Sequence, residues 1–232
     1  FTNWSGIKDA LGVPWLTGRA DLDIKIAFFR RLNEDLAPAA AYGLAYLSVH
    51  AETWGFDTAD LEWEAQVTAR GIAPVYLLKL RSDFDLGSLA ERFVDRGFTQ
   101  TASSNAVIFS HPLDLGADWA RTTELAIHNT AVVEDEHLLV LSTALETVRI
   151  ILAMRGDEAS LAEDVAVMRA VDPVDEPLAA YVMPGVSTCL RFAPHPLLDS
   201  IGTSGDRERL DTWIASGEGL LPYEAMTVGY RL

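Results

Sequence analysis

PVYLLKLR (Pro74–Arg81), DLGSLAERFVDRG (Asp85–Gly97), NAVIFSH (Asn105–His111), ELAIHNTAVV (Glu124–Val133), HLLVLS (His137–Ser142) and TALETVRIILAMRG (Thr143–Gly156) follow one another within residues 73–156. Together they decide the fold. The first is apolar on both faces up to Lys79, as an inner strand covered on both sides would be. The second places Leu86, Leu89, Ala90, Phe93 and Val94 on one helical face, starts near Asp85 and stops at Gly97, a suitable left-handed C′ residue. Three β-rich runs come next, and the acidic turn Glu134–Glu136 joins the last two as a hairpin. Thr143 and Glu146 have capping-box spacing and open a helix with Leu145, Val148 and Leu152 inward and Gly156 at its end. A second box, Ser160 to Glu163, opens another helix with Leu161, Val165 and Met168 on its apolar side. The order β-α-β-β-β-α-α predicts an α+β fold. Its mainly antiparallel sheet should carry the helices after Asp85 and Thr143 packed on one face, because both bear matching apolar stripes.

The flanks are less regular. Asp21 or Asp23 caps a predicted helix with Ile24, Phe28, Leu32 and Leu36 every fourth residue and Pro38 past its end. The apolar stretch 39–49 reads equally as helix or strand, and alternation of Leu61, Trp63, Ala65 and Val67 predicts a half-buried strand. After Pro173 and Pro177 come a strand at LAAYVMPG (Leu178–Gly185), a hairpin partner at VSTCLRF (Val186–Phe192), a short helix around Arg207–Ile214 and a terminal strand at YEAMTVGYRL (Tyr223–Leu232). These shifts divide the chain into an N-terminal helical and irregular segment (1–72), a central α+β module (73–172) and a C-terminal part (173–232), packed as one or two domains.

Charge narrows the partners. Thirty-four Asp and Glu against eighteen Lys and Arg give a formal net charge of −16, which repels phosphate backbones and anionic lipid. Nucleic acid is therefore not an expected partner. The acidic residues lack the spacing of a calcium loop. No apolar run approaches the roughly 20 residues that span a bilayer. Cys189 is the single cysteine, so neither an internal disulfide nor a thiolate zinc site is available. The chain begins at Phe1 rather than Met, from which we expect a processed or excised piece whose signal peptide or membrane-tethering lipid-attachment cysteine lies outside it.

Catalytic motifs are thin. The histidines are His50, His111, His128, His137 and His195, none spaced i,i+4 with another. His128 and His137 flank the predicted hairpin turn and would be the first ligands of any metal, with Glu134 or Glu136 beside them, although no metal or cofactor is expected. Ser187 in GVSTC lacks the second glycine of a nucleophile elbow, Ser204 in GTSG follows no strand, and Cys189 with His195 reads better as a buried small hydrophobe and a separate histidine. No catalytic residue is assigned. Aromatic clustering is the one positive feature: Trp4, Trp15, Trp54 and Trp63 all lie in the N-terminal third. Of these Trp4, Trp15 and Trp54 are the candidate ligand-binding residues, because amphipathic rings in interrupted segments line grooves and interfaces.

AVVEDEHLLVLSTALETVRIILA (Ala131–Ala153), SLAEDVAVMRAV (Ser160–Val171) and PLAAYVMPG (Pro177–Gly185) resemble a pattern found in bacterial extracytoplasmic, predicted lipoprotein-like proteins of unknown function, over about residues 74–184. The resemblance carries no catalytic residues and implies a cell-envelope location. The expectation is therefore an extracytoplasmic, non-catalytic binding or interaction protein for a protein or small-molecule partner. The alternatives are a hydrolase or metal-dependent enzyme with a site assembled from distant residues, and a structural envelope module.

Overall fold

A computed structural model describes residues 1–35, 42, 47–68, 73–103, 105–113, 124–154, 177–184 and 225–230. It divides into two compact units: one takes 1–158 with 177–179 and 230–232, the other 159–176 with 180–229. The first unit holds helices α1 (Trp4–Ala10), α2 (Leu22–Asp35), α3 (Leu47–Trp54), α4 (Leu86–Asp95) and α5 (Leu145–Met154). Its strands are β1 (Leu61–Val67), β2 (Val75–Leu80), β3 (Thr99–Ser103), β4 (Ala106–Ser110), β5 (Asn129–Val133) and β6 (Leu138–Ser142). They form one sheet in the order β1-β2-β6-β5-β4-β3, every neighbour antiparallel. Strands β7 (Ala179–Pro184) and β8 (Ala225–Tyr230) pair with each other, and their residues 180–184 and 225–229 are the described part of the second unit. No helix among the described residues is long and apolar enough to cross a membrane. The α+β class and the antiparallel sheet agree with the sequence.

The helices do not share one face. Successive residues of a strand point to opposite sides, and β6 sends Leu139 and Leu141 into one apolar layer and Leu138 and Val140 into another. Leu89 and Phe93 of α4 lie in the first layer with Trp4, Ile7, Phe28, Phe29, Leu32 and Trp54. Val148 and Leu152 of α5 lie in the second with Val75, Ile108 and Ala131. The expectation of both helices on one face is corrected: an apolar stripe shows that a helix packs on a sheet, not on which side. Strand composition carried the missing information. All ten residues of β5 and β6 are buried, which requires cover on both faces.

Other differences have local causes. β1, which precedes the central strands, pairs with β2 and belongs to the same unit as they do. In β1 a bulge between Leu61 and Trp63 shifts the register, so that Glu64 opposes Leu78 and Trp63 opposes Lys79. One extra residue reverses the alternation beyond it. Leu61 and Glu64 therefore face the first layer, while Trp63 packs on the second. In α2, Lys25 is buried and Ile24 is 41% exposed, so the inward stripe runs through Lys25, Phe28, Phe29 and Leu32. Strand β3, TQTAS, is exposed at every position and has no apolar alternation to read. The predicted helices after Ser160 and Arg207 and the VSTCLRF strand lie outside the described residues.

Candidate functional site: an arginine-lined cleft

Buried charges fix the loop between α1 and α2 to the entry of β1. Asp57 caps the 3-10 turn Thr58–Asp60, accepting from Ala59 N at 2.8 Å, while Asp57 N donates to Asp60 Oδ2 at 3.2 Å. Lys25 Nζ donates to Asp57 Oδ2 at 2.6 Å and to Gly18 O at 3.0 Å. Asp60 Oδ1 accepts from Gly18 N at 3.0 Å and from Arg81 Nε at 3.1 Å. Lys8 Nζ donates to the carbonyls of Ala59 (3.0 Å), Leu16 and Leu61 (both 3.3 Å). Burial lowers the Lys8 ammonium and raises the Asp57 carboxyl from their ordinary values, the latter opposed by Lys25. Only glycine fits at position 18, because a Cβ there would lie 2.0 Å from Asp60 Oδ2.

Helices α3 and α4 supply the opposite wall. Arg92 Nη1 donates to Glu52 O at 2.7 Å and to Thr53 O at 3.4 Å, capping the C-terminal carbonyls of α3. Gly55, at φ +85°, ends that helix; a Cβ on it would come within 2.9 Å of Arg92 Nε. At the start of α4, Asp85 accepts from Ser88 N at 3.0 Å. Arg81 lies 5.8 Å from the Phe84 ring centroid and pairs Nη1 with Asp83 at 2.5 Å. These elements enclose a cleft of about 280 Å³ whose lining includes Arg19, Asp60, Arg81, Asp85, Ser88 and Arg92. That volume lies just below the usual range for small-molecule sites.

The residues singled out from sequence lie elsewhere. Trp4 is buried edge-on to Phe29 at 5.8 Å, and Trp54 is buried against Phe93 at 5.1 Å with the Arg96 guanidinium 5.2 Å from its centroid. Trp15 is 58% exposed, so it alone of the three presents its ring to solvent. His128 and His137 are at opposite ends of β5, since Asn129 pairs with Ser142 and Val133 with Leu138. Five strand residues at about 3.3 Å each keep them roughly 17 Å apart, so the two expected as the first ligands of any metal are too far apart to share one. His128 is buried and adjoins His111 at 6.0 Å between ring centroids, while His137 occupies the left-handed turn at φ 47°. No group of three His, Cys, Asp or Glu suited to a metal occurs among the described residues. Ser187, Cys189, His195 and Ser204 lie outside them. The cleft arginines are far apart in sequence, and the signal that points to them is the scarcity of cations in so acidic a chain.

A second polar cluster sits under the sheet. Glu64 is fully buried, accepts from Tyr42 N at 2.9 Å, and is pushed up to about 7 by burial, with the Trp4 indole facing it. His50, also buried, shares a 2.8 Å hydrogen bond between Nδ1 and Phe56 O and is pushed down to about 4 by burial. Tyr42 stands edge-on to His50 at 5.7 Å, its hydroxyl raised by burial.

Comparison of the chain with protein-family models, with curated proteins and with solved structures gives no match.

Proposed function

We propose that the chain is a non-catalytic binding protein that takes a small molecule in the cleft between the Gly18–Arg19 loop, the end of α3 and the start of α4. The observation that carries this is the convergence of Arg19, Arg81 and Arg92 on one concave region of a chain with net charge −16. Its polar groups are arranged to hold rather than to react. Asp60 is engaged by Gly18 N, Asp57 N and Arg81, Asp85 caps α4, and among the described lining residues no imidazole, thiol or amine stands beside Ser88 as a base. An extracytoplasmic, cell-envelope setting of a bacterial, lipoprotein-like kind is part of the proposal and rests on the sequence resemblance over about residues 74–184.

The test is thermal shift against a panel of sugars, amino acids, short peptides, phosphates and carboxylates. At least one compound should raise the melting temperature through binding to the folded state. Ser88→Phe, which fills the cleft from its wall, should abolish that rise. Retention of the full rise in Ser88→Phe, or conversion of the compound on prolonged incubation, would count against the reading. A second reading, a protein partner, is favoured by the exposed Trp15 ring. Trp15→Ala should then weaken association while leaving the melting temperature unchanged; a lower melting temperature with unaltered association would remove this reading.

A further inference from the structure

We propose, resting on the reading of the cleft as the ligand site, that its ligand is a small oxyanion, a phosphate or carboxylate group held by Arg19 and Arg92. Eighteen Lys and Arg stand against thirty-four Asp and Glu, so most cations should have an acid beside them. Ion pairs among the described residues join Lys25 to Asp57, Arg81 to Asp60 and Asp83, and Arg149 to Glu146. Arg19 and Arg92 are in none of them. Arg92 is fixed instead by two carbonyls in the last turn of α3, which orient the guanidinium. Gly55 leaves room for it where any side chain would press on Nε.

The charge balance of the lining selects the ligand. Arg81 is taken up by Asp60 and by Asp83, so that Arg19 and Arg92 are left facing one lining carboxylate, Asp85, which caps α4. Among these three groups the positive charges outnumber the negative by one, which a cation would worsen and a neutral sugar would leave unmet. A guanidinium is a planar fork of donors that matches two oxygens of a carboxylate or phosphate. The acidic surface opposes an anion from a distance, but at physiological ionic strength the screening length is about 8 Å. Direct contacts inside the cleft therefore decide. A volume of about 280 Å³ admits one oxyanion with a short organic remainder.

Calorimetric titration of the full chain with inorganic phosphate, succinate and glucose, each at low and physiological salt, tests the proposal. Phosphate or succinate should bind, more weakly at the higher salt, and the stronger of the two names the oxyanion. Affinity should fall about tenfold or more in both Arg19→Ala and Arg92→Gln. Arg19 is exposed, so Arg19→Ala should keep the wild-type melting temperature and separates ligand loss from misfolding. Glucose binding without either anion would overturn the oxyanion while leaving the cleft as a binding site. Heat from none of the probes, together with no stabilising compound in the thermal-shift panel, would overturn both. Phosphate or succinate binding unchanged in both variants would overturn the assignment of Arg19 and Arg92.

Discussion

Glu64 and His50 titrate against each other through stability. Glu64 has a folded value near 7 against 4.5 for the free group, so its contribution is complete below pH 4.5 and is lost as pH rises through 7. His50 has a folded value near 4 against 6.5, so its contribution is complete above pH 6.5 and is lost as pH falls through 4. At about 1.4 kcal/mol per pH unit each amounts to about 3 kcal/mol, and across pH 4.5–6.5 the slopes nearly cancel. Glu64→Gln should therefore expose a stability that rises with pH over that window, and His50→Asn one that falls, both read from urea unfolding at a series of pH values. Lys25 makes a simpler case. Lys25→Met leaves the Asp57 carboxyl buried without its 2.6 Å partner and should cost about 3–5 kcal/mol in the same assay. None of these three residues was legible as polar core in the sequence. Lys25 lies on a helix whose apolar stripe reads well without it, and Glu64 reaches the interior only because a bulge reverses β1, which no periodicity reveals.

The elements themselves were more legible. β2, α4, β4, β6 and α5 are each at the position their apolar pattern gave, because each buries at least one face of its own. β3 was not, because its order comes from pairing with β4 rather than from a buried face. β5 takes only Asn129–Val133 of the strand expected over Glu124–Val133, since Leu125–His128 forms a 3-10 turn. The separation of α4 and α5 by the sheet has a measurable outcome. Leu89→Ala and Val148→Ala remove side chains from different layers, and each should cost about 2–4 kcal/mol, adding within roughly 0.5 kcal/mol when combined. Phe93→Ala and Phe109→Ala, whose rings stack at 4.9 Å within one layer, should depart from additivity by about 1 kcal/mol or more. Denaturant titration of the two double-mutant cycles distinguishes this arrangement from one in which both helices share a face.

At the scale of the whole molecule, the acidic composition and the cleft pull in different directions, and local geometry resolves them: carboxylates dominate the chain, while the Gly18–Arg19 loop and α4 gather arginines into one recess. The strand order adds a consequence in time rather than in space. β5 and β6 are at the centre of the six-stranded sheet with both faces covered, whereas β3 is its wholly exposed edge. Amides paired between β5 and β6 can meet solvent only when the first unit opens as a whole, while those of β3 need only a local fraying. Deuterium uptake should therefore be slowest at Ala131–Val133 and Leu139–Leu141 and fastest among these strands at Thr99–Ser103. The slow set would then serve as a clock for global opening, running slower when a cleft ligand is bound.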